Sequence, residues 1–568
     1  MDQAVHPAAP APARRRVWGF PGGLHLPDHK RESTGVPLRP ATLPARLWLP
    51  VQQHIGEPAQ PVVSVGDLVL KGQLLARPKG AISAGVHAPT SGTVASIGPH
   101  PIPHPSGLTA TCIELATDGR DAWAELPEPW PDFEARDPAE LRERVRWAGI
   151  VGLGGAAFPS SVKLSPRREQ PIHTLILNGA ECEPYITCDD VLMRAHADRV
   201  VEGARVLRHA VGAGTVLVGI EDNKPEAIAA MQRAVAAASD SRIAVVVVPT
   251  KYPSGGERQL VRVLTGAEVP SHGIPAQIGI VCQNVATAAA VADAVVRGRP
   301  LISRIVTLTG EGIAKPCNLE VLIGTPAREL IAQAGGYTPR VAKLILGGPM
   351  MGFALPHDDV PITKAANCLL APSRAESPPP PAPLPCIRCG RCAEACPVGL
   401  LPQQMYWWAR AKDLDKTQDY NLFDCIECGC CAHVCPSHIP LVQYYRYAKT
   451  EAWAKEQEKR KAEQARQRHE TRVARLERLE AERKAKLRKK KEELEAPPAD
   501  APAPDPKKAA IQAALERAAA KKAAIAAQGV APKNTEDLTP AQQRQVEAAE
   551  ARRQAAAGPA SEQSVDEH

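Results

Sequence analysis

Between Asp137 and Arg299 the apolar positions follow two rhythms. Short unbroken apolar runs at Thr174-Leu-Ile-Leu, Thr215-Val-Leu-Val and Ile243 to Val248 predict buried strands of a parallel sheet. Pro138 to Ala148, Ala195 to Val211 and Pro225 to Ala238 predict helices between them. Strands alternating with helices define an α/β domain over residues 135–300. Upstream, Pro61 to Ile97 reads as short alternating strands broken by turns at Gly66-Asp67, Gly72, Gly85 and Gly92-Thr93, a small β domain over 41–130. Downstream, Met405 to Lys412 and Leu441 to Lys449 predict helices, which makes 385–448 a small helical domain.

Ile302 to Leu355 predicts strands with one helix, Pro326 to Ala334, and Gly347-Gly-Pro-Met-Met-Gly follows a strand. This suits a β-grasp unit over 301–370. Pro378 to Pro381 stiffens a linker over 371–384. After Lys449 the chain turns to Lys, Arg, Glu and Ala, a solvated helix. After Glu495 it becomes rich in Pro and Ala, and disorder is expected apart from a helix near Lys507 to Ala527. Residues 449–568 are therefore a tail and 1–40 an extension. Gly22-Gly-Leu-His-Leu-Pro27 in that extension carries no assignable chemistry. Val65-Gly-Asp-Leu-Val-Leu-Lys-Gly-Gln-Leu-Leu with His87-Ala-Pro-Thr-Ser-Gly-Thr-Val resembles biotinyl/lipoyl barrel-sandwich domains. The hairpin Ser83-Ala-Gly-Val-His87 lacks the lysine such carriers modify, so this domain reads as scaffold.

Charge narrows the functional classes. The 568 residues hold 69 Lys and Arg against 62 Asp and Glu, a formal +7. Lys449 to Glu495 carries 17 Lys and Arg against 11 Glu, an excess of 6 that nearly accounts for the whole. The body is close to neutral, and only 4% of residues are aromatic, so a nucleic-acid partner is not expected. No run reaches the ~18 apolar residues of a membrane span. Arg14, Arg15 and Arg16 precede Trp18-Gly-Phe-Pro-Gly-Gly, which has no apolar core of a secretory signal. A cytoplasmic chain with peripheral membrane contact is expected.

Fifteen cysteines change the picture, because in such a chain they are not disulfides. Eight form two identical arrays, Cys386-x2-Cys389-x2-Cys392-x3-Cys396-Pro397 and Cys425-x2-Cys428-x2-Cys431-x3-Cys435-Pro436. This is bacterial ferredoxin spacing: three thiolates of one turn reach one cubane, and the fourth serves the other cluster. One [4Fe–4S] cluster is assigned to Cys386, Cys389, Cys392 and Cys435. The second is assigned to Cys396, Cys425, Cys428 and Cys431. Cys430 is an extra thiol. Zinc is the rival reading of paired CxxC, weakened by two full repeats with a terminal Pro. Of the seven cysteines outside the two ligand sets, Cys430 included, most read as small buried hydrophobes.

The second informative stretch is Gly149-Ile-Val-Gly152-Leu-Gly154-Gly155-Ala-Ala157-Phe158-Pro159-Ser-Ser-Val-Lys163. Glycines let backbone approach a phosphate, Pro159-Ser160-Ser161 opens a short helix that completes the cradle, and Lys163 adds charge. The stretch follows a helix, so it is not a Rossmann fingerprint. Asn178-Gly-Ala180-Glu181-Cys-Glu183-Pro184 leaves a strand's carboxyl end, where parallel sheets bind ligands. Gly255-Gly256-Glu257-Arg258 and Gln283-Asn284 offer a further acid and further amides. Acids suit ribose hydroxyls and amides suit a flavin ring.

These residues resemble the NADH- and FMN-binding flavoprotein subunit of respiratory complex I, whose loop reads G-x-G-G-A-G-F-P-x3-K. Ala157 replaces its last loop glycine, Ala180 an Asp of its Asn-Ala-Asp-Glu-Ser-Glu-Pro, and Arg258 the second acid of its Gly-Glu-Glu turn. From about residue 17 to 450, the order of segments is similar to the C subunits of Rnf/Rsx electron transport complexes. That resemblance implies a peripheral subunit on the cytoplasmic face of the bacterial inner membrane. Its partners are the other subunits of the complex, and its electrons pass between NADH and a ferredoxin-type carrier, coupled to ion translocation. It also implies FMN and NADH near Gly152, Gly154, Gly155 and Lys163 for phosphate. Asn178, Glu181, Glu183, Glu257 and Asn284 then face the flavin or nicotinamide, and no side chain serves as acid or base.

Overall fold

A computed structural model describes residues 16–166, 170–495, 506–527, 543–545 and 547–549. The expectations for 1–15 and for most of 496–568 lie outside the described residues. The chain divides into two units, Met1–Lys461 and Ala462–His568.

In the first unit the predicted α/β core is present and extended. Four parallel strands lie in the order Ile243–Val248, Thr215–Glu221, Thr174–Gly179, Ile280–Asn284. The central strands are buried on both faces, which is why their sequences are continuously apolar: Leu175, Ile176 and Leu177 are all inaccessible. Pro138–Trp147, Ala197–Val211 and Pro225–Ala238 are helical, close to the predicted limits. Asp137 caps the first by accepting from the Ala139 amide at 2.7 Å, with Pro at its first turn. The sequence reading missed helix Cys188–Ala195, helix Glu257–Thr265, helix Val285–Val296 and the fourth strand, Ile280–Asn284. The first is separated from Ala197–Val211 by His196, where one continuous helix from Ala195 was expected. Helix Val285–Val296 is alanine-rich and apolar on nearly every face, so it shows little periodicity. It is buried against the sheet.

The barrel-sandwich segment forms two small antiparallel sheets around Leu47, Leu49, Leu75, Ile113 and Leu115. The β-grasp unit is a six-stranded mixed sheet with one helix, Ala327–Gln333. Its edge strand, Arg39–Pro40, comes from the N-terminal extension and pairs parallel with Cys317–Leu322. From Arg16 onward that extension is a strap. Leu24 exchanges two 2.8 Å backbone bonds with Tyr252, and the Gly23 amide reaches Ala395 O at 3.0 Å in the cysteine domain. Lys30, 5% exposed, donates to Glu181 O at 2.7 Å, Glu183 O at 3.1 Å and Ile186 O at 2.7 Å.

A second buried ammonium joins three segments. Lys364, from the β-grasp unit, donates to Gly85 O of the barrel sandwich at 2.6 Å and to Gly149 O at 2.7 Å. Burial pulls its pKa down to about 7.

In the second unit, the described side chains of helix Pro506–Ala527 and of what remains of helix Leu441–Glu495 are almost wholly exposed. Pairs such as Arg478–Glu482 and Arg488–Glu492 sit at i,i+4 spacing, which supports a solvated helix. Among the described residues no helix is long and apolar enough to cross a membrane.

Lys364→Met strands two buried carbonyls and is expected to cost about 2 kcal/mol. The unfolded chain keeps this lysine protonated up to its ordinary 10.5, whereas the folded chain releases the proton near 7. The unfolded state therefore binds more protons between those values. The contribution of Lys364 to stability is greatest at high pH and is lost progressively as pH falls to 7. Urea denaturation from pH 7.5 to 9.5 should show wild type gaining on the variant by up to about 1.4 kcal/mol per pH unit. A difference independent of pH would contradict this.

Candidate functional site

The cysteine domain repeats one backbone design. Arg388 and Glu427 both have φ 58°, Gly390 and Gly429 have φ 81° and 83°, and Gly399 and His438 have φ 75° and 50°. Each array thus turns through the left-handed region at matching positions, which wraps its first three thiols around one centre. Gly390 and Gly429 precede the short helices Arg391–Glu394 and Cys430–His433. Cys386, Cys389, Cys392 and Cys435 line one cavity of about 510 Å³. Cys396, Cys425, Cys428 and Cys431 line a second, narrower one. Each cavity takes its fourth thiol from the other array, and Cys430 lines neither. Backbone amides point at sulfur, Arg388 N to Cys386 Sγ and Leu400 N to Cys396 Sγ, both at 3.4 Å. Sulfurs arranged around a cavity suit a polynuclear iron–sulfur cluster. A lone zinc ion, with bonds of ~2.3 Å, needs them converged on a point. The donor set therefore fits the clusters.

A larger cavity, about 760 Å³, opens at the carboxyl ends of the parallel strands. Gly154, Gly155, Asn178, Glu181, Glu183, Glu257 and Asn284 all line it. Gly152 and Lys163 do not. Lys163 instead pairs with Glu257 at 2.7 Å, and helix Ser160–Lys163 is a single turn behind the loop. In this arrangement the Lys163 ammonium orients an acid of the cavity lining.

Each polar residue is fixed by a defined partner. Leu153, in the glycine loop, donates its amide to Thr287 Oγ1 at 2.9 Å, and its carbonyl accepts from the buried Arg304 at 3.2 Å. Asn178 Nδ2 donates to Gly255 O at 2.8 Å. Asn284 caps helix Val285–Val296, accepting from the Ala286 amide at 2.8 Å, and donates to Asp189 Oδ2 at 2.6 Å. Glu181 accepts from the Asp189 and Asp190 amides at 2.7 and 3.1 Å, at the start of helix Cys188–Ala195. Glu183 accepts from the Met350 and Met351 amides at 2.7 and 2.9 Å. Burial pushes the Glu181 carboxyl up to about 8, against the pull of Lys30. Burial also raises Glu183, against its two amide donors, and Asp189, against its bond from Asn284. Carboxyls so shifted repel an anionic ligand less than three full charges would.

The sequence reading missed the far wall. Leu346 to Gly348 and Met351 to Phe353 of the β-grasp unit close the cavity, and a Cβ on Gly348 would lie 2.0 Å from Glu183 Cγ. The Gly347-Gly-Pro-Met-Met-Gly run was the available signal. Asp189 and Lys30 were missed as well, and neither sits in a motif. Ile426, between Cys425 and Cys428, lines both this cavity and the second thiol cavity. Tyr252 Oη donates to Cys428 O at 2.7 Å across the same boundary. A hollow lined by glycine backbone, amides and carboxyls fits a phosphorylated, hydroxyl-rich, planar ligand such as FMN.

Fold and site define a class: a flavoprotein-type α/β domain whose ligand cavity shares its lip with a dicluster ferredoxin-type domain. Known families bear this out. Family models match the RnfC barrel sandwich hybrid domain over 18–120, the Nuo51 FMN-binding domain over 145–293, the SLBB domain over 305–354 and the 4Fe-4S dicluster domain over 385–439. The chain is 54% identical over 516 residues to the C subunit of the ion-translocating oxidoreductase complex of Pseudomonas aeruginosa, covering 89% of this chain and 65% of that protein. It is 48% identical over 542 residues to the corresponding protein of Serratia proteamaculans, covering 95% and 75%, and 49% over 461 residues to that of Yersinia pestis, covering 81% and 74%. The chain belongs to this family of ion-translocating oxidoreductase C subunits. It spans about 65% of the length of the Pseudomonas and Vibrio cholerae relatives.

The geometry sets two expectations. Cys428→Ala should lose cluster iron, while Cys430→Ala should keep the wild-type iron content; equal losses would reject the thiol grouping. Ala157, where the complex I loop has glycine, sits at φ 48°. Ala157→Gly should therefore stabilise the chain by about 1 kcal/mol in thermal unfolding, since a left-handed Cβ costs roughly that much.

Proposed function

We propose that this chain is the electron-entry subunit of a bacterial ion-translocating membrane complex. It takes electrons from NADH by way of FMN and hands them through two [4Fe–4S] clusters to the other subunits, in exchange with a ferredoxin-type carrier. The observation that carries this reading is the shared lip: Ile426 belongs at once to the ligand cavity and to a four-thiol cavity. The names of the relatives and the matched FMN-binding and dicluster domains support it.

FMN, when bound, supplies the conversion between a two-electron hydride donor and one-electron carriers. The chain's residues hold and orient. Backbone at Gly154 and Gly155 takes phosphate. Asn178, Glu181, Glu183, Glu257 and Asn284 face hydroxyls, ring or nicotinamide, with Gly152 and Lys163 shaping the loop from behind. Cys396, Cys425, Cys428 and Cys431 would hold the cluster nearer the cavity, whose iron would supply the first one-electron acceptor. Cys386, Cys389, Cys392 and Cys435 are the outer set; Cys389 is exposed, as a contact with a redox partner requires. Ion passage belongs to the partners, and this chain works at the cytoplasmic face of the inner membrane.

Anaerobic NADH titration of the cluster-loaded chain with added FMN should bleach the flavin band and then the cluster bands. Clusters that respond to dithionite but never to NADH would leave a non-enzymatic electron adaptor. Gly348→Val, which drives a side chain into Glu183, should reduce FMN retention by about tenfold or more without loss of iron. Undiminished retention would displace the flavin from this cavity.

A further inference from the structure

The loop that carries Cys425, Cys428 and Cys431 meets the α/β domain at one buried charge. Asp424, immediately before Cys425, is 7% exposed. Its carboxylate accepts from Arg258 Nη1 at 2.9 Å, from the His272 amide at 3.2 Å and from Ser271 Oγ. Arg258 also donates Nη2 to Gly273 O at 3.0 Å, so its guanidinium spans the 271–273 turn and the cysteine loop. Burial alone would raise the Asp424 carboxyl; the donors at Ser271, His272 and Arg258 outweigh it and hold it below the usual carboxylate range.

The position matters more than the strength. Arg258, Gly273 and Ile426 line the ligand cavity, whereas Asp424 does not. Other ties fasten other parts of the domain, Tyr252 to Cys428 O and Gln259 Nε2 to Pro397 O at 3.4 Å. Asp424 is the carboxylate that holds the leading edge of the loop.

We infer that Asp424 is a positioning residue: its bridge to Arg258, Ser271 and His272 latches the Cys425–Cys431 loop against the cavity lip and sets the gap electrons must cross. The inference rests on the electron-transfer reading above for its kinetic consequence, though not for its structural one. Tunnelling falls steeply with distance, so loosening the latch slows the step into the clusters and spares the step into the flavin.

The test uses the full chain with clusters and FMN loaded, as wild type, Asp424→Ala and Asp424→Asn. Hydrogen exchange at residues 271–275 and 424–429 should accelerate about tenfold in Asp424→Ala and stay unchanged in strand Thr174–Gly179. Asp424→Asn, whose amide oxygen still accepts from His272 and Arg258, should retain most of the protection. On rapid mixing with NADH, flavin bleaching should stay within about twofold of wild type while cluster bleaching slows about tenfold or more. Should Asp424→Ala lose iron, Ser271→Ala, farther along the chain from any thiol, takes its place in both measurements with a smaller shift in the same direction. Unchanged exchange and unchanged cluster bleaching overturn the latch, and so does flavin bleaching that slows in step with the clusters. A wild-type flavin that NADH never bleaches refutes the electron-transfer reading instead, and exchange alone then decides the latch.

Discussion

The cavity floor hangs on the ammonium of Lys30. The loop from Glu181 to Ile186 puts two non-glycine residues in the left-handed region, Glu181 at φ 47° and Tyr185 at φ 69°. Such backbone costs free energy and persists only where its surroundings over-determine it. Three carbonyls of that loop converge on Lys30 Nζ, which leaves the ammonium fully bonded although it is buried. The same strap reaches Tyr252 through Leu24 and Ala395 through Gly23. One N-terminal segment thereby holds the ligand loop and, a few residues earlier, the thiol domain. Without it Glu181 and Glu183 would lack a fixed backbone from which to face the cavity.

The thiol domain is constrained differently. Each array lends its last cysteine to the other's cavity, so neither turn completes a four-thiol set alone. The pair must fold as one body, and its hydrophobic centre, Met405, Leu422 and Tyr445 among others, lies between the two halves. The second thiol set abuts the cavity through Ile426, and the first lies beside the exposed Ile387 and Cys389. An asymmetric seat turns two equivalent repeats into an inner and an outer site.

Electrostatics follow the same division. Ionisable groups near the cavity are paired or shifted by burial: Lys163 with Glu257, Arg258 with Asp424, and Glu181 and Asp189 raised. On the exposed helix of the second unit, adjacent pairs of opposite sign cancel much of the charge.

The cysteine arrays were legible in the sequence because their chemistry is local. Three thiols of one turn are separated by two residues each, and covalent geometry fixes what they can reach. Three of the four strands of the parallel sheet were legible from their unbroken apolar runs, which burial on both faces allows at Thr174–Gly179 and Thr215–Glu221. Glycines, amides and acids at strand ends named seven residues of the cavity lining. Helix Val285–Val296 was illegible, since an alanine-rich helix buried all round has no polar face to mark it. The pairing of Lys163 with Glu257 was illegible because the two lie 94 residues apart. Only the tertiary structure brought the strap under the ligand loop, folded the Gly347–Phe353 wall over the cavity and set Asp424 against Arg258. Those contacts join segments far apart in the chain. Their energy comes from burial and pairing across domains, and no local pattern of residues encodes it.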